Sequence, residues 1–423
     1  MKKNISKTTK TQKRLQARNN QPSQSKPQGL PTTKKLANRK TRRSEVAQVR
    51  EGEKNKDQDK RAEAALGKAE AEVKAGLGYT IGIDLGDKRS RYCILDGAGK
   101  KVRESSVATT AAAMKMVFGK LAPCRIAIEV GTHSPWVSRT LQALGHEVIV
   151  ANAREVPLIY KSRRKNDKLD AEKLARLARV EPELLRGIRH RGAEAQGDLL
   201  LIRSRAELVE TRTALINMAR GLVKSRGDRL PACTTEWFGV ELLDDMDEAV
   251  VRALKPVMEL IEQMTGTIKG YDQEIEELAK KYPEVARLQQ VSGVGPVIAT
   301  TYVLTVEDPE RFRKSRDVGG YLGLVPGQSD SGESRPQKRI TKAGDGYLRS
   351  MLVQGAHYIL GAFGPDTDLR RWGLKLAGSG GDRGKKRAVV AVARKLAILL
   401  LVLWKTGASY EPLRNSEKKK KAA

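Results

Sequence analysis

The sequence predicts an α/β domain followed by an all-α remainder, and three observations carry that prediction. From Tyr79 to Val150, short apolar strand-like runs alternate with segments of helical spacing. Residues 194–280 are helical and regular: Leu201, Leu208, Leu215 and Leu222 repeat every seven residues, as do Ile202, Val209, Ile216 and Val223. The last stretch opens on Val291-Ser292-Gly293-Val294-Gly295-Pro296-Val297 and then reads mainly as helices to about Trp404.

Residues 1–50 hold fifteen Lys or Arg against one acid, Glu45, and so supply roughly +14 of the chain's net charge of +30. Polar residues and Pro fill the rest, which buries too little apolar surface to order itself. Residues 1–77 therefore read as a disordered basic arm, with a transient helix around 59–75. Segments 79–85 and 91–95 read as a hairpin and 101–107 as a third strand. A helix over 110–121, a strand over 125–130, a helix over 134–144 and a strand over 147–150 complete a domain spanning 78–190. This β-β-β-α-β-α-β order resembles the ribonuclease-H-like layout, with the first strand central and the fourth beside it.

Residues 191–285 read as a long helical coiled-coil hairpin. After a loop from 227 to about 247, Leu254, Val257, Ile261, Met264, Ile268, Tyr271, Ile275 and Leu278 keep an unbroken 3-4 spacing. Two such helices form an antiparallel pair within one chain or between subunits, and both a spacer and a dimerisation device fit. Residues 286–412 read as a mainly helical domain whose opening turn is helix-hairpin-helix-like, with glycines that let amides approach phosphates. Residues 413–423 form a basic tail.

A charge of +30 with a pI near 10.0 makes a polyanion the expected partner. The longest apolar run, 396–404, is too short to span a bilayer, so nucleic acid is favoured over membrane. No secretory signal follows Met1-Lys2-Lys3. Cys93, Cys124 and Cys233 have no metal spacing, and their odd number argues against a disulfide framework. A reducing cytoplasm is the expected compartment. The histidines (His133, His146, His190, His357) are scattered, and no P-loop, Rossmann or zinc pattern appears. Aromatic content of 4% argues for charge- and shape-led contact with duplex.

Four carboxylates form the candidate centre. Asp84 closes the run 79–83 and Glu129 closes 125–128, whereas Asp167 and Asp170 sit three apart at a helix start. Acids three apart share a helix face, and acids at adjacent strand ends converge beyond a sheet. Such a set needs divalent cations to offset its repulsion, and hard oxygen ligands suit Mg²⁺ or Mn²⁺ acting on a phosphodiester. Singly, each acid is equally a turn former or a helix cap. Glu172 and Asp87 are near competitors left outside the set. Lys161, Arg163, Arg164 and Lys165 precede the acid pair and are expected on the nucleic-acid backbone. Ser331 lies in a glycine-flanked loop between Ser329 and Ser334, followed by Arg335, Arg339, Lys342 and Arg349 as candidate phosphate contacts. A hydroxyl attacking phosphorus needs such cations on the developing charge.

Taken in order, these features resemble the insertion-sequence-110 family of transposases. The matching stretches are Ile81-Gly82-Ile83-Asp84, Ala127-Ile128-Glu129, Asn166-Asp167-Lys168-Leu169-Asp170-Ala171, Val294-Gly295-Pro296, 321–326, Ser331-Gly332, and 340–345 with Leu348-Arg349. The resemblance implies a RuvC-like first domain whose Asp84, Glu129, Asp167 and Asp170 hold Mg²⁺. It also implies a last domain with a serine nucleophile, mapping onto Ser331, that recombines double-stranded DNA through a covalent phosphoserine. A homo-oligomer, dimer to tetramer, with a site composed from different subunits and a structured guide RNA are further implied. Inversion is the nearest variant outcome. A nuclease or junction resolvase using water and a non-enzymatic basic scaffold are the rival readings. The long basic arm departs from the family pattern.

Overall fold

In the computed structural model of the chain the described residues are 78–152, 167–329, 331, 334, 336, 338–379 and 381–415, the side chains of Asp167, Lys168 and Asp382 excepted. The predicted arm over 1–77, the tail beyond 415, and Lys161, Arg163, Arg164, Lys165 and Arg335 lie outside the described residues. Two compact units divide the chain, Met1–Gly187 and Ile188–Ala423.

The first unit is a mixed five-stranded sheet with helices on both faces. Its strands are β1 (Thr80–Asp84), β2 (Arg89–Leu95), β3 (Lys101–Ala108), β4 (Arg125–Glu129) and β5 (Glu147–Ala151). Their spatial order is β3-β2-β1-β4-β5, so the first strand is central with the fourth beside it. β1 pairs antiparallel with β2 and parallel with β4, with Ile83 opposite Ile128. Side chains alternate across a strand, and the sequence uses both sides. Ile81, Ile83, Ile126 and Ile128 are fully buried against Met114 and Phe118 of α1 (Ala111–Phe118) and Val137 and Leu141 of α2 (Ser134–Ala143). Gly82 and Ala127 face the other way, under α3 (Asp167–Val180). Burial on both faces is why these strands read as nearly continuous apolar runs. Thr110 caps α1, its hydroxyl accepting from the Ala113 amide at 3.3 Å.

α3 lies backbone-to-backbone on β1. A Cβ at Gly82 would stand 2.0 Å from the Ala171 carbonyl oxygen and 2.4 Å from the Ala175 nitrogen, so no other residue fits there. At the far end of the helix, Arg125 at the start of β4 donates to the Ala178 carbonyl at 3.2 Å. The two contacts fix the helix direction: its C-terminus lies over the strand starts and its N-terminus over the strand ends.

The second unit is helical. α4 (Ala193–Ser225) and α5 (Glu248–Lys280) pack antiparallel. Ala195, Leu199 and Ile202 cluster with Ile275, and Ile216, Ala219 and Val223 cluster with Val250, Leu254, Met258 and Ile261. Ion pairs Arg205–Asp272 at 2.8 Å and Arg226–Asp247 at 3.1 Å follow the same pairing. Of the two heptad rows in α4, the one holding Ile202, Ile216 and Val223 is buried, whereas Leu222 of the leucine row is 50% exposed. Rows one residue apart differ by about 100° around a helix, so one row faces the partner squarely and the other flanks it, where Leu201 and Leu215 are partly buried against the same clusters.

The rest comprises α6 (Pro283–Leu288), α7 (Pro296–Val306), α8 (Asp317–Tyr321), α9 (Gly346–Leu360), α10 (Asp368–Gly378) and α11 (Gly381–Thr406) around one core. The apolar run near 400 is a buried segment of α11, with Leu396, Leu400 and Leu401 fully buried. Tyr302, fully buried in α7, donates to the Ala397 carbonyl at 2.7 Å. Among the described residues no helix is long and apolar enough to cross a membrane. In the opening turn one of the two glycines is used in packing. Gly293 has φ +84 and approaches Gly355 of α9 so closely that a Cβ on either would lie within 2.9 Å of the other's carbonyl oxygen. Gly293 therefore serves helix packing, while Gly295 faces open space.

Candidate functional site

Three of the four predicted acids share one face and one end of the sheet. Gly82 faces α3, so Asp84, two residues on, projects to the same side. Ala127 packs under Leu174 and Ala178 of α3, so Glu129 projects there too. Ile83 pairs with Ile128, which sets Asp84 and Glu129 side by side on adjacent parallel strands, about 4.8 Å apart in strand spacing. Asp170 adjoins Ala171, which sits over Gly82, and is 6% exposed. Its Oδ1 accepts from Lys173 Nζ at 2.9 Å, a positive charge on a carboxylate otherwise costly to bury. Asp167 opens α3 one turn earlier, so the helix start carries it toward the same strand ends. Its side chain lies outside the described residues, and among the described side chains no three His, Cys, Asp or Glu stand at metal-holding distance. The donor set still suits a hard divalent cation, being all carboxylate oxygen on one side of the sheet.

Glu172 is set apart from this group, as its place on α3 predicts. It pairs with Lys101 of β3 at 2.6 Å and with Arg176 at 2.8 Å. Hydrogen bonds from Lys101 and then Arg176 hold its carboxyl below the usual range, outweighing the opposing effect of burial. Asp87 lies in the β1–β2 turn, exposed, with Oδ1 at 3.7 Å from His133 Nε2. Trp136 Nε1 donates to His133 Nδ1 at 3.2 Å. An indole is only a donor, so Nδ1 is the acceptor in this contact. Burial pushes the Cys93 thiol up to about 11 and the Cys124 thiol up to about 12, which keeps both protonated at neutral pH.

Ser331 occupies a different element, in the second unit. Residues 325–327 and 339–341 form a short antiparallel stem, with Gly327 donating to Arg339 at 2.9 Å and Thr341 to Val325 at 2.9 Å. Beyond the stem, the Ser331 and Ser334 amides each donate to the other's carbonyl, at 3.2 and 3.1 Å. Both serines are exposed, as is Ser329. Arg339 and Lys342 are exposed at the stem's returning strand. Arg349, also expected at phosphate, is half-buried. Its Nη1 donates to the Leu322 and Ala343 carbonyls at 3.0 and 2.8 Å, bracing the segment that carries Lys342.

Sequence reasoning gave no role to the charged group beneath this segment. Asp345 caps α9, accepting from the Leu348 amide at 2.9 Å, and its Oδ2 meets Arg191 at 3.1 Å and Arg203 at 2.5 Å. Burial alone would raise its pKa, but the Leu348 amide and the Arg203 and Arg191 charges together hold the carboxyl below the usual range. Arg203 also stacks over Tyr347, 4.7 Å from the ring centroid. An Asp three residues before a buried leucine at a helix start was the available signal for the cap, but no local pattern names two arginines 154 and 142 positions upstream.

Comparison with known proteins bears on both units. Residues 81–226 match a transposase family described as DEDD_Tnp_IS110, and residues 285–369 match the transposase family IS116/IS110/IS902. The transposase for insertion sequence element IS1111A of Coxiella burnetii is 29% identical, over 76% of this chain and 88% of its own length. The protein y4rJ of Sinorhizobium fredii is 30% identical, over 76% and 86% respectively. The transposase for insertion sequence element IS1328 of Yersinia enterocolitica is 27% identical, over 55% and 70%.

Proposed function

The chain belongs to the IS116/IS110/IS902 family of transposases, and from that membership we propose that it cuts and rejoins double-stranded DNA with a DEDD metal centre and a serine nucleophile. The observation that carries the reading is the shared face and end of Asp84, Glu129 and Asp170, with Asp167 opening the same helix. These four residues are the proposed ligands of Mg²⁺ or Mn²⁺. When bound, such a cation offsets charge on phosphate oxygens.

The protein's own residues do the rest. Asp84 and Glu129 sit on strands and Asp170 on a helix packed on β1, so each carboxylate is carried by a fixed element of the fold. Ser331 attacks phosphorus through its hydroxyl oxygen, the P–O bond to the departing strand breaks, and the serine proton leaves to solvent or a base. The phosphodiester is retained as a serine ester, so a 3′- or 5′-hydroxyl can later reverse the step without ATP. Arg339 and Lys342 are proposed to meet the phosphate charge as it develops. Exposure of Ser331 on a hairpin excursion is consistent with a nucleophile that must reach into a duplex.

The α4–α5 pair is proposed as the coiled-coil element of a dimer or tetramer, and a structured guide RNA as the source of sequence choice. Inversion in place of excision uses the same chemistry. Trapping of protein–DNA adducts tests the reading. Ser331→Ala should abolish the adducts while DNA binding persists, and Asp84→Asn should do the same. Adducts that persist in Ser331→Ala remove it as nucleophile. Strand cleavage that never yields an adduct favours a water-using nuclease.

A further inference from the structure

The start of α11 carries positive charge that the fold itself does not use. From 374 to 395 the sequence holds seven Lys or Arg against one acid, Asp382. Two of the seven have structural work. Lys395 Nζ lies 3.8 Å from the Trp372 ring centroid, and Arg394 packs its stem where a Cβ on Gly319 would lie 3.2 Å from its Cγ. Lys375, Arg383, Lys385 and Lys386 are exposed, and none of them pairs with an acid among the described side chains. Elsewhere in this unit cations meet carboxylates, as Lys281 meets Asp198 at 2.8 Å and Arg205 meets Asp272 at 2.8 Å.

These charges stand where a helix favours them least. Arg383, Lys385, Lys386 and Arg387 fall in the first two turns of α11, at the positive end of its dipole, where acids are favoured and cations are not. By contrast α4, α5 and α10 each carry an acid in the first turn: Glu194, Glu248 and Asp368. Arg383, Lys386 and Arg387 are three and four apart, so like charges share one face and repel. The helix that holds them is fixed by close packing. A Cβ at Gly384 would stand 2.5 Å from the Ala377 oxygen of α10, and one at Gly373 would stand 2.6 Å from Val392 Cγ2. An external anion is what offsets such an arrangement.

The chemistry of this face separates its possible partners. A membrane-surface helix inserts an apolar face, but Ala388, Val392, Leu396 and Leu400 of α11 are fully buried in the core. A protein interface is built on apolar and aromatic anchors and is poor in lysine, and no aromatic residue lies between Trp372 and Trp404. The same lack of aromatics disfavours a single strand, whose bases are held by stacking. Charge-led contact with the phosphates of a duplex is what this face can make. Duplex DNA is the polyanion on which a transposase acts.

We infer that the start of α11, through Arg383, Lys385 and Lys386, binds the phosphate backbone of duplex DNA without regard to its sequence. The inference rests on the DNA-acting function proposed above and gives it a contact surface outside both the acid group and the serine hairpin.

The test measures affinity of the full chain for two unrelated DNA duplexes, and for an RNA duplex, across a range of salt. Wild type is compared with the triple variant Arg383→Gln, Lys385→Gln, Lys386→Gln and with Lys385→Arg, Lys386→Arg. Each phosphate contact adds about 0.9 to the slope of log affinity against log salt. The triple variant should therefore lower that slope by about 2.7 and weaken binding roughly a hundred-fold at ~0.1 M salt, alike on both DNA duplexes. Its melting temperature should stay equal or rise, because repulsion at the helix start is relieved. The Arg replacements should bind as wild type does. A slope lowered by less than about 1 overturns the inference. So does a loss confined to one DNA sequence, or to RNA with DNA unchanged, which assigns the surface to an RNA partner. A lower melting temperature also overturns it, by showing that these cations serve the fold. The two readings fail separately: the slope difference without Ser331-dependent adducts sinks only the recombination chemistry, and adducts with an unchanged slope sink only this surface.

Discussion

Gly82→Ala is the sharpest test of how the acid group is held. The new methyl would stand 2.0 Å from the Ala171 oxygen, about 1.4 Å short of an ordinary 3.4 Å contact. Both partners are backbone, so no side chain can swing away, and α3 must retreat. Ala171, Leu174, Ala175 and Ala178 are all fully buried on that face. A gap of only 0.5–1 Å forfeits a quarter to a half of the dispersion well between such surfaces. The expected cost is about 3 kcal/mol, the upper end for an overpacked core, which speeds hydrogen exchange in α3 and β1 by roughly a hundred-fold. Movement of this size also displaces Asp170 from Asp84 and Glu129, and a ~1 Å misplacement can lower cleavage by about a hundred-fold. Hydrogen exchange by mass spectrometry and cleavage of a supercoiled plasmid read the two effects. Gly131→Ala, with nothing within 4 Å of the added atom, is the control and should leave both unchanged. Wild-type exchange and cleavage in Gly82→Ala would refute the claim that this helix contact positions the site.

Three further outcomes follow from the same contacts. Asp170→Asn should lower cleavage by about two orders of magnitude or more, whereas Glu172→Gln, in a peripheral ion network, should keep it near wild type; a plasmid assay of both separates the acids. Asp345→Asn leaves Arg191 and Arg203 facing a neutral group and should destabilise the second unit by about 3 kcal/mol at neutral pH. The folded carboxyl lies below its ordinary 3.8, so its contribution is present above that value and lost as the pH falls through the lower folded value. Urea unfolding should therefore show the gap between wild type and Asp345→Asn closing in strong acid, and a gap constant with pH would contradict this. Gly355→Ala, 2.8 Å from the Gly293 oxygen, should cost about 1–3 kcal/mol in thermal melting, and Gly295→Ala, at a helix N-cap with open space around it, should cost less.

Much of the first unit was legible because short-range physics wrote it. Short apolar runs marked β1, β2, β4 and β5, and the order of strands and helices implied β1 at the centre with β4 beside it. The acid candidates were legible as strand-end and helix-start residues, and the displacement of Glu172 followed from helical periodicity alone. Gly82 gave no signal of its own, since its reason is the backbone of a helix almost ninety positions away. The same holds for Gly293, whose partner Gly355 lies in another helix, and for Arg349, which turns inward to two carbonyls.

In the second unit periodicity named two candidate rows in α4, and only packing against α5 chose between them. Local sequence thus determined which segments are strands and helices and which residues could carry chemistry, because propensity and periodicity act over a few residues. The tertiary structure alone decided which of those residues meet, since Asp345 with Arg191 and Arg203, or Gly82 with Ala171, depends on distances that no neighbouring residue encodes.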